Sequence, residues 1–527
     1  DWQVMFRGHG LRDLAYFLNS AIPNEMRQSH GRALFDRYIA GLGAGGVSVD
    51  PERAWRDYGL FILEQWDAHM KGYVFGGYGH MPESRRPHFP GRQERNARLT
   101  PSISAGRRYA ALGLLGLVSV LNYVDRQAFS VVQDDIKAEF ALSDTMLSLL
   151  AGPGFAVVFA LSALPIARYA DGSDRPRVIG LSLGLWSLAT AACGLVGNAW
   201  QMLLARMTLA VGESGAGPAG FSLLTDIFPE EQRTRVIGFM QAASSTGLSL
   251  GVIVAGLLSA RMEWRHVFLV LGLPGLALAL VVWLLVAEPR RARDGISSAE
   301  KTPFVPLSEV FRIVADRPTL RWVALICVSV PITGFGLLMW GASFLLRVHD
   351  FEKADLQYLG YAILAGLVTG NLVAGWLGDK FGTHNLSFNA RLAGWSLLAA
   401  FPFTLAFVFL PGAVGALISF VLLKFLMTLW IAPVTTMAFA IVPTGMRATV
   451  SALINLLIIL SGIGFGTFLA GALSDAYSDA FGEQSIRYAL ATITVGLLVG
   501  AFGAFMAART VGRDEAAQKE TLPAIAG

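Results

Sequence analysis

Twelve apolar segments decide what this chain can fold into. They fall at roughly 110–132, 145–168, 178–197, 201–224, 235–259 and 265–287. Six more follow at 321–346, 356–378, 387–410, 413–440, 448–472 and 487–509. Each approaches or exceeds the ~20 residues that carry a helix across the hydrocarbon core. In lipid, backbone N–H and C=O groups must be satisfied within the segment, so such runs form helices. Composition agrees: 54% of residues are hydrophobic and 15% charged, against about 25% charged in soluble domains. The expected fold is an all-α membrane protein with twelve transmembrane helices. Its two six-helix halves, 109–287 and 321–511, are divided by a charged central loop, 288–320, and followed by a tail, 512–527.

Orientation follows from loop charge, because Lys and Arg are retained on the cytoplasmic side. One set of loops holds Arg168, Arg175, Arg177, Arg233, Arg235, Lys380, Arg447 and the many Arg of the central loop. The other set holds only Lys137, Arg261, Arg265, Arg347, Lys353 and Arg487. Both termini are therefore expected to be cytoplasmic, in a multi-pass protein of a bacterial inner membrane. The net charge of +4 reports this orientation and not a nucleic-acid partner. Cys193 and Cys327 lie inside apolar segments and read as small core residues. Five of the eight His precede residue 100 and none has metal-ligand spacing, so neither metal nor cofactor is expected.

The first span contains Asn122-Tyr123-Val124-Asp125-Arg126. An ionised side chain at mid-bilayer costs on the order of 3 kcal/mol even on lenient scales, and such groups face a protein interior or a watery cavity. Asn122, Asp125, Arg126 and Phe129 recur at helical steps and share a face. Span four places Arg206 and Glu213 seven residues apart, again on one face. A purely structural salt bridge between helices is the alternative to a site that handles a proton or a charged headgroup. In the second half, Lys424 falls near the midplane of span ten with no acidic residue at that depth, which suits a substrate anion. Tyr123, Phe129, Trp340, Asn371 and Asn455 complete the candidate cavity lining.

The halves repeat. Ala170-Asp171-Gly172-Ser173-Asp174-Arg175-Pro176-Arg177 after span two corresponds to Gly378-Asp379-Lys380-Phe381-Gly382 after span eight. Ile227-Phe228-Pro229-Glu230-Glu231-Gln232-Arg233 after span four corresponds to Ile441-Val442-Pro443-Thr444-Gly445-Met446-Arg447 after span ten. Parallel repeats of this kind relate the halves of transporters. Gly247/Gly251, Gly366/Gly370 and Gly462/Gly466 mark close helix approaches, expected to serve as packing and rocking surfaces.

This layout and these loops resemble the major facilitator superfamily. In its gate motif an Asp at a helix end meets the Arg of a neighbouring loop; the resemblance assigns that role to Asp171, Arg175, Arg177, Asp379, Lys380, Arg233 and Arg447. Asn122-Tyr123-Val124-Asp125-Arg126, Gly212-Glu213 with Pro218, Thr225-Asp226-Ile227-Phe228-Pro229 and Trp264-Arg265 resemble Spinster-like members over residues ~105–510. Those move lysophospholipids or sphingoid phosphates in animals. The resemblance implies proton coupling through Asp125 and Glu213, with Arg126 as their partner and Arg206 close by. It implies a monomeric secondary transporter, not an enzyme, whose partners are a small-molecule substrate, protons and membrane lipids. A proton-linked symporter of small organic anions is the alternative.

Residues 1–70 differ: Asp1-Trp2-Gln3, then Asp13-Leu14-Ala15-Tyr16-Phe17-Leu18 and Tyr38-Ile39-Ala40-Gly41-Leu42, resemble the C-terminal end of aminoglycoside- and choline-type phosphotransferases. In that family the first Asp binds Mg²⁺, which by resemblance would be Asp1 if an upstream kinase domain were present. This small soluble, mostly helical extension is expected to be inactive alone. Residues 71–108, with Arg85, Arg86, Arg92, Arg95 and Arg98, read as a basic linker. A kinase–transporter fusion is therefore a further alternative, and a non-transporting receptor another.

Overall fold

The computed structural model describes residues 36, 40, 104–289, 314, 316–382, 385–443 and 446–524. The chain divides into two units, Asp1–Leu99 and Thr100–Gly527. In the first, Asp36 and Ala40 are helical; the phosphotransferase-like segment with Asp1, and most of the linker, lie outside the described residues.

The described residues of the second unit are almost all helical and form twelve passages. Passages one to six are α1 (Ala105–Phe140), α2 (Asp144–Ala151) with α3 (Pro153–Asp171), α4 (Arg175–Cys193), α5 (Ala199–Ile227), α6 (Glu230–Ser259) and α7 (Trp264–Leu285). Passages seven to nine are α8 (Pro318–Val348), α9 (Leu356–Leu377) and α10 (Leu386–Phe409). The tenth joins α11 (Ala413–Thr428) to α12 (Ile431–Ala440). The eleventh runs through α13 (Arg447–Ile458), a π-helical stretch (Ile459–Gly466) and α14 (Thr467–Phe481). The twelfth joins α15 (Ser485–Ile493) to α16 (Val495–Ala524).

Among the described residues, nine helical stretches are long and apolar enough to span a membrane, the last, Thr449–Gln518, holding two passages. α1 and α5 are not among them. These are the helices that carry Asp125 and Arg126, and Arg206 and Glu213, so their place in a bilayer depends on the partners they find there.

Passage two breaks at Gly152, where Pro153 supplies no N–H to continue the helix. A side chain at Gly152 would meet the Ile463 carbonyl at 2.6 Å and the Gly464 carbonyl at 3.0 Å. The break therefore sits directly against the π-helical stretch of passage eleven.

The glycine pairs read as rocking surfaces pack elsewhere. Gly247 and Gly251 lie against Val120 and Val124 of α1, Gly366 and Gly370 against α11, and Gly466 against Ile332 of α8. Each contact is within one half. The halves instead meet at the end bearing the α1–α2 turn. There a side chain at Gly256 would meet the Lys353 carbonyl at 3.0 Å, and Ser148 Oγ donates to the Thr467 carbonyl at 3.0 Å.

Ion pairs join the halves at this same end. Arg347, at the end of α8, bonds Asp134 at 2.5 Å and Asp144 at 2.8 Å. Lys353 holds Asp135 at 2.7 Å. Asp475 accepts from the backbone N–H groups of Asp144 and Thr145 at 2.9 and 2.7 Å, capping α2 from the other half.

The last helix runs to Ala524, past the expected end of its span near residue 511. It is held there by polar contacts rather than lipid. Asp514 accepts from the Thr319 N–H at 2.9 Å, and Arg317 donates to the Asp514 carbonyl and to Gln518 Oε1.

Candidate functional site

The groups that hydropathy disfavours converge beside the break in passage two. Arg126 Nε donates to Glu213 Oε2, an ion pair joining α1 to α5 across 87 residues of sequence. The Glu213 side chain is fully buried, and Asn122 lies beside it. The Arg126 guanidinium is 20% exposed and stands 5.1 to 5.4 Å from the ring centres of Tyr123, Phe155 and Phe159. Three aromatic faces around a guanidinium favour the cation by electrostatic attraction to the rings.

Asp125, one residue earlier, points elsewhere. Its Oδ2 accepts from Thr190 Oγ1 of α4 at 3.3 Å. Its Oδ1 is buried, with the indole of Trp186 of α4 as its polar neighbour. Adjacent residues on a helix are turned by about 100°, so Asp125 and Arg126 do not share a partner here.

Arg206, expected on the same face of its span as Glu213, bonds to the backbone of passage two. Its Nε donates to the Leu150 carbonyl at 2.9 Å and an Nη to the Ala151 carbonyl at 3.4 Å. The break at Gly152 leaves these last carbonyls of α2 without intrahelical partners, and a buried guanidinium satisfies them. The same guanidinium lies 4.2 Å over Phe129.

Between the halves is a small cavity of about 50 Å³, enough for a few waters. Tyr123, Arg126, Gln127, Phe155 and Arg206 line it from the first half, and Phe335, Leu338, Met339, Ile463 and Thr467 from the second. Phe129 and Trp340 do not line it. Both are fully buried, and Trp340 Nε1 donates to the Thr467 carbonyl at 3.1 Å, so each is a packing residue. Asn371 and Asn455 are exposed on the helices of the second half. Lys424 is buried in α11 with the Phe420 ring centre 5.1 Å from its Nζ.

At the opposite end, Arg175 is fully buried and gathers acids from its own half. It donates to Glu288 at 2.6 and 2.9 Å, to Asp226 at 2.7 Å and to Ser222 at 3.1 Å. Asp174 caps α4 through the Arg177 N–H. Lys380 rests against Trp376 and Phe381, Arg447 donates to the Phe439 carbonyl, and Arg233 is exposed. The side chains of Asp171 and Asp379 lie outside the described residues. Glu288 and Asp226 are the partners that spacing alone missed. The available signal was that Asp226 stands in the last turn of one span and Glu288 just past the end of another, where an acid reaches a loop Arg without entering lipid.

Residues 115–464 match the family model described as Major Facilitator Superfamily. An MFS-type efflux pump of Mycolicibacterium smegmatis is 28% identical over 420 residues, 77% of this chain and 94% of that protein. A probable L-galactonate transporter of Escherichia coli is 27% identical over 285 residues, 51% of this chain and 61% of that protein. The sphingosine-1-phosphate transporter SPNS2 of Danio rerio is 24% identical over 447 residues, 78% and 86% respectively. The crystal structure of a bacterial homolog to the human lysosomal transporter Spinster, inward-facing and unoccupied, superposes with a TM-score of 0.70. It is 28% identical and covers 78% of this chain and 99% of that one. Twelve helical passages in two repeated halves, with an ion pair at their centre, thus have both a family and a solved counterpart: the chain belongs to the major facilitator superfamily, as a Spinster-like membrane transporter and not an enzyme.

Proposed function

We propose that the chain is a proton-coupled transporter of an amphipathic anionic molecule, working as a monomer by alternating access with both termini cytoplasmic. The observation that carries this is the Arg126–Glu213 pair at the cavity wall, with Asp125 one residue away on separate partners. A guanidinium stays charged, so it can leave one carboxylate for another. A carboxylate that loses its cation in dry surroundings takes up a proton, and releases it when water or the cation returns. The SPNS2 relative supports a lipid-like anion; the galactonate relative favours the second reading, a small organic acid.

The test is transport into proteoliposomes under an imposed pH gradient. Glu213→Gln holds that position in its protonated form, so binding persists while the response to the gradient is lost. Asp125→Asn is expected to lose the same response or transport altogether. Parental gradient dependence in both variants would remove the coupling role. For orientation, a Cys replacing Asp350 should react with an impermeant reagent from outside and a Cys replacing Lys380 should not; the reverse labelling ends the proposed topology.

A further inference from the structure

We infer that Lys424 is the site at which the second half takes the acidic head of the substrate, a carboxylate or a phosphate monoester. This rests on the transport reading above and narrows it to one residue and one charge. Lys424 lies eleven residues into α11, about 16 Å along the helix and so near the middle of a core about 30 Å thick. Its side chain is buried, yet among the described residues its ammonium has neither a hydrogen bond nor an ion pair, and it is not one of the sealed polar atoms. The other mid-membrane cations are occupied: Arg126 by Glu213, Arg206 by the carbonyls of the helix break. Besides the Phe420 ring face 5.1 Å away, nothing among the described residues balances the Lys424 charge, and an intramembrane cation in that position marks a substrate or ion pathway by default.

Its surroundings point the same way. A side chain at Gly366 of α9 would meet Lys424 Cβ at 2.6 Å, so the missing side chain there makes the room Lys424 occupies. One turn on, Thr428 packs on Gly370 of α9, while the Met427 methyl reaches within 3.2 Å of the position a side chain would take at Gly334 of α8. α8 and α9 scarcely touch, so this face of α11, with Thr428 on α9 and Met427 beside α8, borders the gap between them. Phe335 and Leu338, next along α8, line the cavity that holds Arg126. The first half therefore brings an internally neutral pair to the centre and the second an uncompensated positive charge. A substrate with one negative head completes the balance, its apolar body lying against Phe and Leu side chains.

Three probes of one chain length test this on the purified full chain: a fatty acid, its lysophosphatidate and the neutral monoacylglycerol. Inorganic phosphate and a short hydroxy acid are added as chainless anions. Wild type should bind at least one anionic probe about tenfold or more tighter than the neutral one, the scale of one charge-assisted contact. Lys424→Gln and Lys424→Met should lose about that factor, and Lys424→Arg should keep most of it. Which anion binds identifies the head, and whether the chainless anions suffice identifies the source. Equal binding of the neutral probe, equal binding by Lys424→Gln, or no anion bound by folded wild type overturns the assignment. The coupling reading is separable. Lys424-dependent binding with no response to a pH gradient sinks only coupling, and an intact response with Lys424-independent binding sinks only this site.

Discussion

Removing the Arg347 side chain should open the end of the molecule where the halves are tied. The guanidinium makes four bonds: to Asp134 Oδ1 at 3.1 and 2.5 Å, and to Asp144 at 2.8 and 3.0 Å. Its side chain is 18% exposed, that of Asp134 25% and that of Asp144 4%. Both acids belong to the first half and Arg347 to the second, so all four bonds exist only while this end is closed. Fully buried pairs lose 3–5 kcal/mol when one partner goes, and exposed ones under about 1. These half-buried pairs fall between, and Asp144 keeps Lys137 and Ser474 as partners. A loss of about 2–3 kcal/mol from the closed form follows, which shifts the open-to-closed ratio about 30- to 150-fold. Ser343 reports it, being buried below the latch and bonded by Gln133 at 2.7 Å. With Cys193 and Cys327 replaced, Ser343→Cys should react with an impermeant maleimide added on the α1–α2-turn side at least tenfold faster once Arg347→Ala is introduced. Equal rates in two proteins of equal thermal stability would show that the latch does not hold this end.

Arg175→Leu strands Glu288, whose side chain is 2% exposed. It should cost about 3–5 kcal/mol, read as a lowered melting temperature in detergent, and Arg175→Lys should recover only part because the two-pronged bond is lost. Gly212→Ala would set a methyl 2.7 Å from the Trp186 N–H and 2.9 Å from the Ser182 carbonyl, backbone atoms that cannot yield. A loss of about 1–3 kcal/mol is expected, with the surroundings of Asp125 disturbed because α4 carries Thr190, its hydrogen-bond partner; unchanged melting would contradict this packing. Burial, and then the Arg487 charge, hold the His349 imidazole below its ordinary value, against a smaller opposing effect of Asp350. The unfolded chain takes up that proton first, so the contribution is present at pH 7 and lost as pH falls below about 6.5. His349→Asn should flatten the fall in stability between pH 7 and 5, and an unaltered slope would rule His349 out.

What the sequence made legible was what the bilayer enforces. Apolar runs must be helices, and ionised residues inside them must find protein, so the sequence alone marks α1 and α5. The pairing pattern was less legible, because a helical wheel fixes a face but not the neighbour opposite it. Asp125 and Arg126 read as one unit yet turn to α4 and α5 respectively. Arg206 shares a face with Glu213, but a shared face does not reveal that the break at Gly152–Pro153 offers it bare carbonyls. The glycine pairs were visible as close approaches, but spacing does not say whether the facing helix belongs to the same half. In the sequence Arg347 and Lys353 count only toward loop charge; their partners Asp134 and Asp135 lie over two hundred residues away.

The two helices that fail a hydropathy test have a consequence during synthesis. α1, carrying Asp125 and Arg126, emerges before α5, and Glu213 lies 87 residues behind Arg126. At about 5–20 residues per second the ribosome needs roughly 4 to 17 s to supply that partner. For that interval the nascent α1 holds an unmatched guanidinium and must stay at the insertion machinery or the lipid interface. A chain truncated after α4 should therefore leave α1 poorly inserted, and one extended through α5 should rescue it. On this account the ion pair at the centre of the transporter also times its assembly.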